Sequence, residues 1–324
     1  MSENGIVQQQ YTTTLSEWAK TYTNLVTEDY TSCGLTMSDY SKTCAMSAMT
    51  TIYQMLIAAN VNLNTEIDIS NLREVVGQAA SLKLNANAVP RECYFQLRKK
   101  QIGGKWLRVV EMGIEGDGYD SLLRNFGSNV KQVYPVWIVH EGDDFTYPVR
   151  RGIEVKPPEW TPKGLSDKAI LVCYPVMLQD GTIEYLISER SRVKTNLFAH
   201  IRNNLMNETF GIAESKYKAS AEQKRKIDEQ KNIIYEALRK CQTVEEMLSC
   251  EIAKPYISPA WLDTPESMIT RKMRNNAIKG FKKNYDTMAN RSYLQLDETY
   301  QQAQTEIEGG ANKIEFVEVG DSEN

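Results

Sequence analysis

The chain has 324 residues, of which 41% are hydrophobic and 25% are charged, and its formal net charge is −4. These values are ordinary for a globular protein with one large domain or two smaller ones, and no apolar run approaches the ~18–20 residues of a membrane span. The N-terminal segment MSENGIVQQQYTTT lacks the basic start and apolar stretch of a signal peptide. We therefore expect a cytoplasmic protein with reduced cysteines, and the absence of a C-x-x-C pair argues against a structural zinc or a redox pair.

The charge is distributed unevenly along the chain. Residues 295–324 carry eight carboxylates against the single Lys313, a net of −7, which leaves +3 on residues 1–294. Residues 271–291 contain seven basic side chains and only Asp286 as an acid. A basic segment followed by an acidic tail indicates either a polyanion partner or simply a solvated helix and a disordered end.

The first third of the chain is predicted to be helical after a disordered start. Residues 1–14 are polar, and we expect them to be disordered. Apolar residues then recur at helical spacing in three segments, residues 15–26, 38–60 and 68–85. Each of these segments is predicted to be a helix.

Between residues 90 and 188 the apolar period changes to two, which predicts strands. The strands are expected at Cys93–Leu97, Leu107–Met112, Gln132–Val139, Phe145–Arg150, Ala169–Met177 and Ile183–Ser188. Asp180-Gly181 predicts a hairpin turn between the last two strands. A short helix is predicted at residues 117–127, beginning at Asp117 and ending at Gly127.

The last third is predicted to be helical again. A charged, helical insertion is expected at residues 213–241, and a final helix at residues 266–289, which begins after Thr264-Pro265. The apolar stripe of this last helix consists of Ile269, Met273, Ala277, Phe281 and Tyr285. Its basic face consists of Arg271, Lys272, Lys279, Lys282 and Lys283.

The sequence offers little for catalysis. Its two histidines, His140 and His200, are each expected to be structural or exposed. The glycine-rich segment GIEGDGYDS lacks the lysine and hydroxyl positions of a Walker-type phosphate loop, and its carboxylates would repel phosphate. We therefore predict no ATP hydrolysis.

Three carboxylates, Glu141, Asp143 and Asp144, surround one glycine between two β-patterned runs. The simplest interpretation is a hairpin turn. The alternative is a metal-dependent nuclease or other DNA-processing enzyme that uses these three carboxylates. That enzyme would need further acids from other strands, for which the candidates are Glu111, Glu115 and Asp117.

The segment around this turn fits the pattern V-V-Y/H-E-G-D-x-F-x-Y, matched by Ile138, Val139, His140, Glu141, Gly142, Asp143, Phe145 and Tyr147. In this pattern it resembles the RecT family of phage single-strand DNA annealing proteins. Four further segments resemble motifs of the family in the same order, at residues 76–97, 113–139, 171–188 and 258–279. The chain departs from the pattern at Asp117 (lysine in the family), at Arg271-Lys272 (Lys-Thr) and at Asn275 and Asn276 (paired arginines).

The resemblance implies an α+β fold, with an antiparallel sheet and hairpins packed with helices and with helical N- and C-terminal parts. It divides the chain into a flexible or helical arm (1–30), an annealing core (31–205 with 255–294), a helical insertion (206–254) and an acidic tail (295–324). It implies ATP-independent annealing of complementary strands in phage homologous recombination, by a ring or helical filament of identical subunits without nuclease activity. The implied partners are single-stranded DNA, the annealed duplex, a co-encoded phage exonuclease and a host single-strand binding protein in the bacterial cytoplasm. No membrane partner and no cofactor are implied, and Mg²⁺ would only modulate DNA binding.

Annealing requires cations that hold the phosphates of one strand while its base edges stay free for pairing. Twelve basic residues are predicted to bind DNA: Lys105, Arg108, Lys131, Arg150, Arg151, Lys168, Arg190, Arg192, Lys194, Arg271, Arg274 and Lys279. The acidic tail is expected to compete with DNA for a basic groove, to dock on a partner protein, or to remain a solvated end. Its short apolar stretch consists of Ile314, Phe316, Val317 and Val319.

Overall fold

The computed structural model of the chain describes residues 3–61 and 65–296. The helices are α1 (Glu3–Ser32), α2 (Asp39–Ala58), α3 (Ile69–Ser81), α4 (Gly116–Phe126), α5 (Val193–Asn204), α6 (Ala221–Lys240), α7 (Val244–Leu248), α8 (Pro259–Asp263), α9 (Pro265–Lys279) and α10 (Thr287–Leu296). The strands are β1 (Cys93–Ile102), β2 (Lys105–Ile114), β3 (Val130–Val133), β4 (Trp137–His140), β5 (Asp144–Thr146), β6 (Val149–Arg151), β7 (Glu154–Lys156), β8 (Glu159–Thr161), β9 (Ala169–Leu178) and β10 (Ile183–Glu189). These strands pair antiparallel, and the predicted α+β fold is confirmed.

The chain forms two compact units. The first joins Met1–Phe126 to Asn284–Asn324, and the second is Gly127–Lys283. These boundaries differ from the predicted division, which placed 31–205 and 255–294 in one core. Among the residues that the structure describes, no helix is long and apolar enough to cross a membrane.

In the first unit, α1, α2, α3 and α10 pack with one face of the β1–β2 hairpin around a single core. Side chains cap the helices where the sequence predicted their starts. The Ser38 hydroxyl accepts a hydrogen bond from Ser41 N before α2, and the Asp68 carboxylate accepts from Ser70 N before α3. Such caps satisfy backbone N–H groups that have no partner within the helix.

The second unit is built on a four-stranded sheet in which β9 is central. Strand β10 pairs with one edge of β9, while β3 and β4 pair in succession with its other edge. Helix α9 packs against β9 and β10. The strand predicted at Gln132–Val139 is divided into β3 and β4 at Pro135, which has no N–H to donate to the ladder.

Two small antiparallel pairs, β5–β8 and β6–β7, lie between β4 and β9 along the chain. The predicted strand Phe145–Arg150 is interrupted at Pro148 for the same reason as above. The turn at residues 141–143 joins β4, which pairs with β9, to β5, which pairs with β8. The prediction of a hairpin turn there was therefore wrong, because the strands that it joins do not pair with each other.

Two helices, α1 and α6, begin at residues other than those predicted. Helix α1 begins at Glu3, so the expected disorder of residues 1–14 is wrong from that residue on. A helix that is already formed gains one hydrogen bond for each residue added, and the polar start contains no proline that would stop it. Helix α6 begins at Ala221 rather than near residue 213, at a capping box formed by Ser220 and Gln223.

The predicted final helix at 266–289 consists of two helices in different units. Helix α9 ends at Lys279 before Gly280, and α10 begins at Thr287, where the Asp286 carboxylate accepts a hydrogen bond from Ala289 N. The first three residues of the predicted apolar stripe are buried, namely Ile269, Met273 and Ala277. Phe281 and Tyr285 lie beyond the end of the helix, so the stripe does not continue to them.

Candidate nucleic-acid interface

The β1–β2 hairpin carries the densest group of cations in the first unit. Over Cys93–Ile114 it has five basic residues and one acid, a net of +4. The basic residues are Arg98, Lys99, Lys100, Lys105 and Arg108. All five lie in the outer half of the hairpin, near its turn, so the positive charge is concentrated on a single projection.

An aromatic ring lies among these cations. Trp106 is 69% exposed and follows Lys105 directly. In the strand register Lys99 is opposite Arg108, and Trp106 is two residues from Arg108 along β2. Because side chains alternate across a strand and opposite residues share a face, Trp106, Lys99 and Arg108 lie on one face of the hairpin.

The hairpin is anchored along the middle of β2. Gly103 and Gly104 both have positive φ, which suits the two-residue turn that connects the strands. Asn71 of α3 donates to Val110 O over 3.1 Å and accepts from Val110 N over 2.7 Å. The N–H and carbonyl of Arg108 pair with the backbone of residues 66 and 68. The cations therefore project from a fixed strand ladder.

The second unit has a smaller basic hairpin, formed by β6 and β7. Arg150 and Arg151 are exposed, and Ile153 in the turn between the strands is fully exposed. The Lys156 ammonium of β7 lies 3.7 Å from the Glu159 carboxylate, which partly neutralises the positive charge of Lys156. This hairpin is a weaker candidate for phosphate binding than β1–β2, because it combines fewer cations with nearby acids.

The predicted DNA-binding residues lie in different environments. Lys105 and Arg108 belong to the first unit, and the other ten belong to the second. Six of the twelve are exposed: Lys105, Lys131, Arg150, Arg151, Arg192 and Lys279. The remaining six are half-buried or buried, and several of them have protein partners.

Arg190 is the clearest case of a predicted DNA contact with a structural role. Its side chain is 11% exposed, and its guanidinium donates to Glu266, to Glu245 over 2.7 Å and to Ala169 O over 2.9 Å. Burial opposes the charged form, but the hydrogen bonds that Arg190 donates to Glu266 and Glu245 outweigh it and raise the pKa of Arg190. The sequence could not reveal this triad, because its members are far apart along the chain.

Helix α9 presents less free positive charge than its sequence predicts. Arg274 donates from Nε to the buried Tyr174 hydroxyl over 2.8 Å, and Arg271 is half-buried. Lys283 lies past the helix end, where its ammonium donates to the carbonyls of Ile278 and Phe281. Burial, followed by the nearby Lys279, lowers the pKa of Lys283 to about 8. Of the five residues of the expected basic face, Lys279 and Lys282 are exposed, and the other three are half-buried.

Two further predicted contacts bind protein groups. Lys168 lies 3.0 Å from Glu141, and the Lys194 ammonium donates to the carbonyl of Cys241. Their charges are therefore partly used within the second unit.

The carboxylates of the turn after β4 have structural partners. Asp143 accepts hydrogen bonds from His140 N over 3.0 Å, Trp160 Nε1 over 3.0 Å and Lys163 N over 2.8 Å. The backbone N–H groups of Lys163 and His140, followed by the Trp160 indole, hold the pKa of Asp143 down at about 2. Asp144 pairs with Lys163 over 2.7 Å. Within the described part of the chain, no group of three or more His, Cys, Asp or Glu side chains is arranged to hold a metal ion.

Sequence reasoning missed four residues of the basic hairpin, namely Arg98, Lys99, Lys100 and Trp106. The signal was present in RKKQIGGKWLR, where two glycines separate two basic runs. A two-residue glycine turn brings such runs side by side, and this would have revealed one continuous cationic projection.

We compared the chain with family models, curated proteins and solved structures. No family model, curated protein or solved structure matches the chain.

Proposed function

We propose that this protein binds single-stranded DNA and anneals complementary strands without ATP. The observation that carries the proposal is the outer half of the β1–β2 hairpin, where five cations and the exposed ring of Trp106 lie on one projection, with Lys99 and Arg108 on the same face as the ring. A single strand offers what this surface can bind, because it has a phosphate at each nucleotide and unstacked bases with exposed faces.

Each part of the hairpin supports a separate component of binding. Lysine and arginine side chains bind phosphates and release condensed counterions, which makes the affinity sensitive to salt. An aromatic side chain stacks on a base with little sequence preference, and this contributes about 1–3 kcal/mol per base. Neither contact occupies the Watson–Crick edge of a base, so a bound strand remains able to pair with its complement.

The resemblance to the RecT family supports the biological setting of the proposal. On that basis, the protein acts in phage homologous recombination in the bacterial cytoplasm as a ring or filament of identical subunits. Its partners would be a co-encoded exonuclease, which supplies single-stranded ends, and the host single-strand binding protein.

The geometry of the turn does not favour the metal-dependent nuclease. Metal ligation would require the Asp143 carboxylate to give up hydrogen bonds to His140 N, Trp160 Nε1 and Lys163 N. Asp144 and Glu141 are each paired with a lysine, Lys163 and Lys168. We therefore keep nuclease activity only as an outcome that the test below would detect.

The test uses two labelled complementary oligonucleotides and the purified full chain. We expect the protein to accelerate duplex formation in chelator without ATP and to leave both strands at full length when Mg²⁺ is added. A non-complementary pair of equal length is the control for aggregation. Shortened strands in Mg²⁺ would support the nuclease, and annealing no faster than without protein would contradict the proposal.

A further inference from the structure

We propose that the basic outer half of the β1–β2 hairpin also binds the acidic C-terminal segment of the same chain, residues 297–324. Competition between this segment and DNA would follow from such binding, and it rests on the function proposed above. The binding of the segment to the hairpin is independent of that function.

The segment belongs, like the hairpin, to the first unit. It follows α10, whose Ser292 hydroxyl lies 2.8 Å from that of Ser81 at the end of α3. Near the end of α10, Gln295 donates to Glu74 over 2.7 Å and accepts from Gln78 over 3.1 Å. The last described turn of the chain is therefore fixed against the middle of α3.

Helix α3 leads directly to the hairpin. Asn71 lies one turn from Glu74 and forms both of its hydrogen bonds with Val110 of β2. From Val110 to Lys105 the strand rises by ~17 Å, at about 3.4 Å per residue. The whole path from Gln295 to the turn of the hairpin is on the order of 40 Å, whereas 28 extended residues can span up to ~90 Å.

The charges of the two partners are complementary. Residues 297–324 carry eight carboxylates and Lys313, a net of −7, and the hairpin carries +4. A tether raises the local concentration of the segment to the millimolar range for a short linker. The attraction is long-ranged at low salt, but the Debye length falls from about 10 Å at 0.1 M to about 3 Å at 1 M.

The segment also has a partner for Trp106. Phe316 lies between Glu315 and Glu318, next to Val317, so negative charges flank an aromatic ring. A nucleic-acid strand presents the same two elements as phosphates and bases. Trp106 offers an exposed ring among cations, which suits either ligand.

The first test is zero-length carbodiimide crosslinking of the full chain without DNA, read by mass spectrometry. We expect amide bonds from Lys99, Lys100 and Lys105 to carboxylates of residues 297–324 at about 20 mM salt, and their loss near 1 M salt. Lys224 and Lys240 of α6, which are exposed in the second unit, are the internal controls. Crosslinks from the segment to these controls as often as to the hairpin would overturn the inference. In a mixture of isotopically light and heavy copies of the chain, hairpin crosslinks found only between two different copies would overturn it as well.

The second test compares the full chain with a variant whose eight C-terminal carboxylates are changed to amides. We expect the variant to bind a single-stranded oligonucleotide about tenfold more tightly at low salt, with the difference closing as salt rises. A variant with the same residues of the segment in permuted order should bind like the unaltered chain. If no protein binds DNA, the proposed function fails, and the crosslinks still decide this inference. If DNA binds equally to both and hairpin crosslinks are absent, only this inference fails.

Discussion

Replacing Trp106 by alanine should weaken binding of single-stranded DNA without unfolding the protein. The Trp106 side chain is 69% exposed and lies near the turn of a hairpin whose strand β2 is anchored on α3, so we expect its loss to change the free energy of unfolding by no more than about 0.5 kcal/mol. The lost stacking on one base is worth about 1–3 kcal/mol, which corresponds to a dissociation constant raised roughly 5- to 150-fold. Trp106→Phe should recover part of the loss, because phenylalanine also stacks.

The salt dependence separates stacking from charge. In fluorescence anisotropy titrations with a short thymidine oligonucleotide, Trp106→Ala should leave the slope of log affinity against log salt unchanged. Lys99→Ala combined with Lys105→Ala should flatten the slope by about 1.4, because each phosphate contact on a single strand contributes about 0.7. The matched controls are Ile153→Ala, an exposed apolar residue in another turn, and Lys224→Ala with Arg225→Ala on the exposed side of α6. Two results would contradict a DNA site on the hairpin. One is an affinity of Trp106→Ala within twofold of that of the unaltered chain, and the other is a loss of slope in the α6 control equal to that of the hairpin variant.

Three further predictions concern the second unit. Arg190→Ala should lower the free energy of unfolding in urea by about 3 kcal/mol. This is the low end of the range for breaking a buried ion pair, and we choose it because Glu245 and Glu266 are both partly exposed. A loss under about 1 kcal/mol would contradict a structural role for the three residues. Lys283 has a pKa of about 8 in the folded state, so the unfolded state binds more protons between that pH and about 10.5. The free energy of unfolding should therefore rise by about 1 kcal/mol from pH 7 to pH 9. Lys283→Met should lack this rise. Asp143→Asn should lower the midpoint of unfolding, because an amide nitrogen cannot accept hydrogen bonds as the carboxylate does, whereas Asp144→Asn, at an exposed position, should not. Both variants should anneal complementary strands normally in chelator. An activity of the unaltered chain that strictly requires a divalent ion, and that either substitution abolishes, would support the nuclease instead.

Local patterns were sufficient to predict much of the fold. The apolar periodicity of α2 and α3 and the Asp180-Gly181 turn between β9 and β10 are confirmed, because each depends on neighbours in the chain. Long-range pairing was not accessible in the same way. The partners of β4 and β5 are β9 and β8, which no periodicity specifies, and so the turn between them was interpreted as a hairpin.

The candidate interface was predicted only in part, for a related reason. Lys105 and Arg108 were identified as isolated cations, but their concentration on one projection with Lys99 and Trp106 depends on the register of the strands. Arg190 and Arg192 are both arginines of one short segment, and the sequence gives no way to distinguish them. Only the structure shows that Arg190 is buried and ion-paired, whereas Arg192 is exposed. The break between α9 and α10 had signals in Gly280 and Asp286, which the regular spacing of Phe281 and Tyr285 obscured.

Photocrosslinking tests most directly whether single-stranded DNA lies on the β1–β2 hairpin. An oligonucleotide that contains 5-iodouracil is irradiated with the full chain at low salt, and the adducts are mapped by mass spectrometry after cleavage at glutamates. We expect the principal adduct in the peptide of residues 93–111, at Trp106, and its loss when an excess of unlabelled single strand is added. Adducts confined to aromatic residues of the second unit, such as Trp137, Trp160 or Tyr185, or no adduct at all, would contradict the account.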